Sequence, residues 1–535
     1  MERNVGEEIL WFRGFFVSLR RFLKSVFDVD FDMMKKNILL WMVLAGLLWL
    51  GGGTMARAND AGEMAKHRVI ILTDVENEPD DTESLVRLML YTNQIDVRGL
   101  IATTSTHLRN RIAPESIHRV IDAYGQVRTN LLKHEGGYPE AESLHALVKR
   151  GSTYYGMNGV GKGKNSEGSD WIVKELMRSD DDRPLWVCAW GGANVLAQAL
   201  YQLRATQSKA NLERFVGKLR VYTISDQDDT GNWMRREFPS LFYIVSPGGY
   251  GHATWTGMMQ VAEGADNEKV SNRWIAENIQ QGHGPLGACY PDVAYGMEGD
   301  TPSWLNLIPN GLNEPEHPDW GGWGGRYELY KPRREDCDLA GFNGSVPIEE
   351  ETRAIWTNAV DRVTPYLFNE YGCAVRSDSV TYCTAQATVW RWRSEVQNDF
   401  AARMDWCIKD YQEANHAPVA VVRMMTEVPG YGIDNREPRE IVDFTVKSGE
   451  VFMLDATGSS DPDGDNLSYL WFNYPEASSW KQPVAILGSP NTCHVKVQAP
   501  KVEKTETLHF ILMVTDKGTP ALTSYRRVVI RVINN

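Results

Sequence analysis

The 535-residue sequence is poor in cysteine and has no excess of positive charge. Its seven cysteines are scattered and none stands in a Cys-x-x-Cys pair, which argues against a zinc site. Lysine and arginine number 56 against 70 acidic residues, and the net charge of −14 argues against a nucleic-acid polymer as partner. Long low-complexity tracts are also missing. The chain is too long for one ordinary core, so we expect two or more globular domains.

A hydrophobic run long enough to cross a membrane is missing as well. The apolar segment at residues 38–50 is shorter than the ~20 residues of a spanning helix. It follows a pair of lysines and precedes Ala56-Arg57-Ala58, which fits the small-x-small cleavage rule. Residues 34–58 therefore predict a secretory signal peptide. We expect a secreted, periplasmic or cell-surface protein with no stable membrane span after cleavage.

The segment before the signal, residues 1–33, is an uncertain N-terminal extension. Its apolar residues recur at helical spacing beside basic ones, so it could form an amphipathic helix that lies on a membrane. We favour the alternative that translation begins at Met33 or Met34, because signal peptides seldom follow so long an extension.

The most informative stretch is an apolar run followed at once by acidic residues. Val69–Leu72 predicts a short buried strand, and residues from Ser84 onward show the apolar spacing of a helix. The loop between them carries Asp74, Glu76, Asp80 and Asp81. This order places the carboxylates at the carboxyl end of a strand, which is where ligands bind in open α/β sheets.

Crowded carboxylates repel each other unless a cation joins them or one of them holds a proton. Oxygen ligands suit calcium or magnesium rather than zinc. The simpler interpretation is that Asp80 and Asp81 only stabilise the start of the next helix, where acids favour the positive end of the helix dipole. We favour a functional site, because capping does not require four acids directly after one buried strand.

This stretch resembles the nucleoside hydrolase superfamily, whose members open with Asp-x-Asp-Pro-Gly-x-Asp-Asp after the first strand. Here the middle of the motif reads Glu76-Asn77-Glu78-Pro79. The chain is more similar to a branch of secreted bacterial proteins, nucleoside-hydrolase-like and described as cellulose-binding. The shared segments span about residues 67–335 and are ENEPDD, LIATTS, RPLWVCAWGGAN, HGPLGACYP, EGDTPSWL and WGGWGGRYELY.

The resemblance implies a nucleoside hydrolase-like α/β fold, an open and mostly parallel sheet with flanking helices, and a bound calcium ion. Glu76 occupies the family position of a metal ligand and catalytic base, and Asp81 that of a second ligand. Asp80 would act beside them by hydrogen-bonding a sugar hydroxyl, and Asp74 would support the metal. A family turn whose backbone carbonyl binds the metal is similar to the turn that begins at Trp190.

The same resemblance implies residues that bind the substrate. Asn194 ends the turn just named. Asn232 and Glu237 lie in segments similar to the Gly-Asn and Glu-Phe-Asn substrate motifs of the family. In a segment rich in glycine and tryptophan, Trp320 and Trp323 are either stacking platforms for a sugar or residues that pack onto the domain surface.

A further candidate is His283, which begins the sequence His-Gly-Pro. Nucleoside hydrolases commonly carry His-Asp-Pro there and use that Asp as a metal ligand, so the match implies a catalytic role for His283. Gly284 has no side chain. Either the metal is lost, or another acid supplies the missing ligand, and Glu298 and Asp300 are the nearest candidates.

The pattern divides the mature chain into three parts. Strands and helices alternate over residues 59–345, which predicts the α/β domain. Residues 346–416 have helical spacing and are expected to pack on that domain. Short alternating segments over residues 417–535 predict a β-sandwich, and the stretch 455–465 resembles the signature of immunoglobulin-like domains of the polycystic-kidney-disease type.

The leading functional hypothesis is a secreted hydrolase that cleaves an N- or O-glycosyl bond of a carbohydrate fragment with a bound calcium ion. The alternative is a non-catalytic carbohydrate- or cellulose-binding protein on a hydrolase scaffold. Gly284 favours the alternative, and the retained acids favour the enzyme. Association into a homo-oligomer is left open by the sequence.

Overall fold

The apolar runs of the first part of the chain form one large sheet. Its strands are Arg68–Thr73 (β1), Asp96–Ala102 (β2), Val148–Arg150 (β3), Leu185–Ala189 (β4), Leu219–Thr223 (β5), Phe242–Val245 (β6), Tyr327–Tyr330 (β7) and Ile355–Asn358 (β8). They pair in the order β3-β2-β1-β4-β5-β6-β8-β7. Neighbours are parallel, except that β7 runs antiparallel to β8.

The strand order reverses at β1, which lies between β2 and β4. Alternate residues of β1 face opposite sides: Val69 and Ile71 belong to one hydrophobic core, Ile70 and Leu72 to another. Both faces are therefore covered, as in doubly wound α/β proteins. In such sheets ligands bind beyond the carboxyl ends of the strands at the point of reversal. The ends of β1 and β4 thus mark the expected site.

Helices cover both faces of this sheet. The first two contribute buried residues to one core, and the fourth and fifth to the other. They are Asp80–Met89 (α1), Pro114–His134 (α2), Ala141–His145 (α3), Glu167–Leu176 (α4), Asn194–Thr206 (α5), Lys209–Lys218 (α6), Thr230–Glu237 (α7), Asn272–Ile275 (α8), Gly284–Ala288 (α9), Pro302–Leu305 (α10), Arg334–Cys337 (α11), Ala387–Trp390 (α12) and Arg393–Asp405 (α13). The predicted α/β fold class is confirmed.

This computed structural model describes residues 65–337, 342–368, 373–377, 380–426 and 441–534. The predicted signal peptide and the extension at 1–33 lie outside these ranges. Within them, no helix has both the length and the apolar character that a bilayer span requires. The chain from Lys66 onward packs as one compact unit.

The C-terminal part consists of β-sheets, as expected from its alternating pattern. Its strands are Arg423–Thr426 (β13), Val442–Lys447 (β14), Val451–Asp455 (β15), Ser468–Asn473 (β16), Ile486–Leu487 (β17), His494–Gln498 (β18), Glu506–Thr515 (β19) and Thr523–Ile533 (β20). One sheet has the order β13-β15-β18-β17 and the other, hereafter the outer sheet, has the order β14-β20-β19-β16. Both sheets contribute to one hydrophobic core. Assignment to the immunoglobulin-like type stays a prediction.

The helical prediction for residues 346–416 is correct at α12 and α13 and wrong before them. There the chain forms β8 and the short strands Asp361–Val363 (β9), Tyr366–Phe368 (β10), Ala374–Arg376 (β11) and Tyr382–Thr384 (β12). The apolar residues Ile355, Ala359 and Val363 recur every four positions. That spacing fits the period of a helix and equally the two-residue period of a strand, so it could not decide between them.

Buried polar contacts join the C-terminal sheets to the α/β part. Arg527 of β20 donates to the carbonyl oxygens of Leu312 at 2.8 Å and Gly321 at 2.7 Å. Tyr474, just after β16, donates its hydroxyl to Asp361 of β9. These side chains are almost fully buried, so the two parts share an interior.

Candidate functional site

The loop after β1 folds back on the strand through short-range hydrogen bonds. The Thr73 hydroxyl donates to Asp81 and accepts from the backbone N–H of Val75 at 3.1 Å. The N–H of Asn77 donates to the carbonyl of Asp74 at 3.1 Å. This turn holds the carboxylate of Asp81, in the first turn of α1, against the end of the central strand.

Three carboxylates converge at this place. One oxygen from each of Asp80, Asp81 and Asp300 lies within 4.8 Å of the others. Asp300 comes from the turn before α10, far along the chain, and is 2 % exposed. Its Oδ2 atom is buried and has no hydrogen-bond partner among the described residues. The group, hereafter the acidic cluster, therefore presents an acceptor atom that the protein leaves unsatisfied.

Glycines make room around the cluster. A Cβ atom on Gly191, just after β4, would lie 2.5 Å from Oδ1 of the buried Asp74. A Cβ atom on Gly299 would lie 3.0 Å from Oδ2 of Asp80 and 2.9 Å from the ring of Trp255. Larger residues would displace these carboxylates. The close approach of backbone to carboxylate explains the glycines at these two positions.

The three acids of the cluster and the neighbouring Asp74 all have raised pKa values. Burial raises the pKa of Asp74 to about 6, and burial together with neighbouring carboxylates raises that of Asp80 to about 7. Burial and the other carboxylates also raise the pKa values of Asp81 and Asp300 well above their ordinary range. No lysine or arginine forms an ion pair with these four acids among the described residues. Such a set of oxygens fits calcium or magnesium.

Aromatic side chains stand beside the cluster. Trp255 lies against Gly299, the same glycine that the Asp80 carboxylate approaches, and donates its indole N–H to Ser225 Oγ at 3.0 Å. Tyr250 packs edge-on against Trp255 at 5.3 Å between ring centroids, and its hydroxyl lies 3.3 Å from Nε2 of His107. Sequence reasoning missed these residues. The signal that could have found them is that each follows the carboxyl end of a parallel strand, β2 or β6.

Glu76 does not join the cluster. Its backbone is left-handed, with a φ of 77°, and its carboxylate bonds Ser116 and Arg119 of α2. These contacts lower the pKa of Glu76, the Ser116 hydrogen bond most strongly. The structure therefore places Glu76, the expected metal ligand and base, outside the acidic cluster, in which Asp300 lies beside Asp80 and Asp81.

The turn after β4 is buried and is hydrogen-bonded to neighbouring loops. The Trp190 carbonyl, the expected metal ligand, accepts a hydrogen bond from the Gln227 side chain at 2.5 Å. The Asn194 amide donates to Thr104 Oγ1 at 3.1 Å and to the Tyr154 carbonyl at 2.6 Å. Both predicted site residues thus hold neighbouring loops together, because fully buried polar groups need partners.

The two candidates on α7 lie apart from the cluster. The Asn232 side chain accepts from Arg235, whose guanidinium is already paired with Asp226 at 2.8 Å. Glu237 forms a half-exposed ion pair with Arg204 at 2.8 Å. Neither residue is brought to the acidic cluster by the fold.

His283 is also remote from the cluster. Its Nε2 lies 3.3 Å from Oδ1 of Asp405 on α13, and a Cβ on Gly284 would lie 3.4 Å from Val127 and Ile408. Glu298 forms a buried ion pair with Arg87 at 2.5 Å. Of the two acids considered as replacements for the missing ligand, the structure brings only Asp300 to the cluster.

The two tryptophans of the Gly-Trp segment pack toward the C-terminal sheets. Trp320 stacks on His317 at 4.1 Å and meets His509 of β19 edge-on at 4.7 Å. Trp323 is 2 % exposed and donates to the Tyr525 hydroxyl at 3.2 Å. Of the two roles expected for these tryptophans, packing on the protein therefore applies to both, and the buried Trp323 has no ring face open to a sugar.

Comparison with known proteins agrees with this architecture. The family model "Cellulose-binding Sde182, nucleoside hydrolase-like domain" matches residues 68–327, and "Cellulose-binding protein Sde0182, C-terminal domain" matches residues 451–532. A solved structure from Saccharophagus degradans, a nucleoside hydrolase-related hypothetical protein associated with carbohydrate metabolism, is 34 % identical. The match covers 88 % of this chain and 100 % of that one, with a TM-score of 0.72. The chain therefore belongs to the family of nucleoside hydrolase-like proteins described as cellulose-binding.

Two further solved structures show only weak likeness. The effector protein XOO4466 is 9 % identical over 51 % of this chain and 86 % of its own, with a TM-score of 0.30. The type III effector XopQ with adenosine diphosphate ribose is 9 % identical over 47 % of this chain and 69 % of its own, with a TM-score of 0.25. Neither likeness carries an argument here. No curated protein matches the chain.

Proposed function

We propose that this protein is a secreted hydrolase that cleaves a glycosyl bond in a carbohydrate, with a calcium ion bound by Asp80, Asp81 and Asp300. The observation that carries the proposal is the acidic cluster at the reversal point of the sheet. Asp300 Oδ2 has no hydrogen-bond partner in the part of the chain that the structure describes, although a buried carboxylate oxygen normally has one. A divalent cation would satisfy that atom and neutralise the repulsion between the acids.

The surrounding residues suit hydrolysis of a glycoside. Bound calcium would supply a Lewis acid that positions hydroxyl groups and a water molecule. Asp74 lies close enough to influence the charge of its neighbours, and Asp80 borders the aromatic wall of Trp255. We assign the acceptance of a proton from water to Asp74, the acid of the site that is not among the proposed calcium ligands. Tyr250, which is partly exposed, would cover the apolar face of the sugar, and the buried Trp255 beside it would help to exclude bulk water.

A second candidate function is carbohydrate binding without catalysis. Its support is the position of Glu76, which bonds Ser116 and Arg119 instead of facing the cluster. Of the catalytic residues expected from the sequence, only Asp80 belongs to the cluster. The family name, which refers to cellulose binding, is compatible with either function.

The test is hydrolysis of a panel of nucleosides and plant-polysaccharide oligosaccharides by the mature protein, with calcium and with chelator. Asp81→Asn and Asp300→Asn remove one charge each from the cluster, and Asp292→Asn at an exposed position is the matched control. We expect turnover that requires calcium and both cluster acids, and the control to behave as the wild type.

Absence of turnover with every substrate would overturn the enzyme proposal. Calcium-dependent binding of an oligosaccharide under the same conditions would then establish the second candidate. Turnover that is unchanged by chelator and by both cluster variants would show that the reaction takes place elsewhere in the molecule.

A further inference from the structure

A cavity of about 650 Å³ lies between helix α13 and the outer sheet of the C-terminal part. No residue of the acidic cluster lines it. The volume falls in the range of roughly 300–1,000 Å³ that is typical of small-molecule sites. This cavity is therefore a second place where the molecule could hold a ligand.

The floor of the cavity is an apolar surface of the outer sheet. Successive residues of a strand face opposite sides, and Trp471 of β16 lies in the core between the two C-terminal sheets. Its neighbours Leu470 and Phe472 consequently face the cavity, and Met513 lies opposite Leu470 on β19. The result is a flat apolar strip on two paired strands.

The facing wall is polar. Ser394 and Glu395 stand in the first turn of α13, and both line the cavity. No hydrogen bond or ion pair from another side chain reaches the Glu395 carboxylate among the described residues. The nearest cation, Lys269, is engaged by Asp266 and by Ser394, each at 3.0 Å.

Glu395 thus offers acceptor oxygens in the wall of the cavity that no other described side chain occupies. Burial raises its pKa to about 7, and Lys269 only partly offsets this. A ligand that donates hydrogen bonds would relieve the cost of removing this carboxylate from water. The lining also carries cations, of which Lys269 and Arg391 are paired with Asp266 and Asp361, so the cavity presents charges of both signs and does not select a ligand of one charge. A wholly apolar ligand would leave Glu395 without a partner.

An apolar strip that faces hydrogen-bond acceptors matches a sugar, which has an apolar CH face and a rim of hydroxyl groups. We propose that this cavity binds part of a neutral oligosaccharide, with its CH face on Leu470, Phe472 and Met513 and with hydroxyl groups donating to Glu395. The choice of carbohydrate rests on the proposed function, whereas the cavity is separate from the acidic cluster. The site would attach a long substrate at a second point and raise its local concentration.

The test is calorimetric titration of the mature protein with cellohexaose, a neutral β-linked oligosaccharide. Glu395→Gln removes the charged acceptor, and Leu470→Ala removes part of the apolar strip. Loss of a hydrogen bond to a charged group weakens binding about tenfold or more, and we expect this for Glu395→Gln. Glu277→Gln, at an exposed position, is the matched control. Unchanged melting temperatures would show that the variants are folded.

Asp81→Asn separates this site from the acidic cluster. We expect that variant to lose turnover and to bind cellohexaose through the cavity as the wild type does. Binding that survives both Glu395→Gln and Leu470→Ala, or no binding by the wild type, overturns the cavity proposal and leaves the hydrolase proposal standing on its own turnover assay. Glu395-dependent binding without any hydrolysis supports the cavity and refutes the enzyme.

Discussion

Asp300 combines nearly complete burial with an oxygen that has no partner among the described residues, next to two other carboxylates. Replacing it by Asn removes one of the repelling charges. We therefore predict that Asp300→Asn raises the unfolding free energy of the calcium-free protein by about 1–3 kcal/mol. Its melting temperature should rise accordingly. The same variant should lose the stabilisation that calcium gives to the wild type. Thermal unfolding with calcium and with chelator measures both effects. An equal response of wild type and variant to calcium would contradict the assignment.

Glu76 is the residue at which the sequence and the structure disagree, because the sequence predicts a catalytic base and the structure places the residue outside the acidic cluster. A general base contributes about 10²–10⁴-fold to a rate, so Glu76→Gln should lose that factor if Glu76 is the base. Because its carboxylate contacts Ser116 and Arg119, we predict a loss of less than about tenfold. Asp80→Asn, measured beside it, should cost much more. Comparable losses in both variants would restore the catalytic role of Glu76.

Single elements differ in how far the sequence predicted them. The strand β1 and its acidic loop were predictable, because an apolar run followed by acids is a local pattern. The sequence could name Asp300 only as one of two alternatives with Glu298, since its contact with Asp81 joins distant parts of the chain. The direction of Glu76 depends on a left-handed backbone and on partners in α2, which local propensity does not encode. Asn194 and Trp190 were found correctly as turn residues, but their partners come from three other loops or strand ends.

Asp361 connects strand β9 to the C-terminal part by accepting a hydrogen bond from Tyr474, and its side chain is fully buried. Burial alone would raise the pKa of Asp361, but Arg326 at 2.6 Å and Arg391 at 2.9 Å lower it overall. We predict that Asp361→Asn reduces the unfolding free energy by about 3–5 kcal/mol, because it leaves buried guanidinium groups without a counterion. Urea denaturation measures this. Asp122→Asn, at an exposed position, should change stability by less than about 0.5 kcal/mol.

Strand β19 carries a buried histidine at the contact with the α/β part. Burial, together with Arg527 at 3.2 Å, lowers the pKa of His509 well below its usual 6.5. Below pH 6.5 the unfolded chain therefore binds a proton that the folded protein does not. Stability from this group is complete above pH 6.5 and declines as the pH falls, by at most about 1.4 kcal/mol per pH unit.

The variant His509→Gln tests this dependence, because Gln can still accept from Arg527 and does not titrate. We predict a shallower loss of unfolding free energy between pH 6.5 and pH 5 than in the wild type, measured by urea denaturation at each pH. His494→Gln, in an exposed position on β18, is the matched control. The assignment fails if the wild type and His509→Gln show the same slope.

At the scale of the whole molecule, the α/β part and the C-terminal sheets share buried contacts through Arg527, Trp323 and Asp361. We therefore predict one cooperative thermal transition for the mature chain. A ligand that binds only the folded state adds about 2.7 kcal/mol at a concentration of one hundred times its dissociation constant. Calcium bound at the acidic cluster should shift the entire transition, including the unfolding of the distant C-terminal sheets. Differential scanning calorimetry with and without calcium measures this. Two separate transitions, of which calcium moves only one, would show that the interface does not couple the parts.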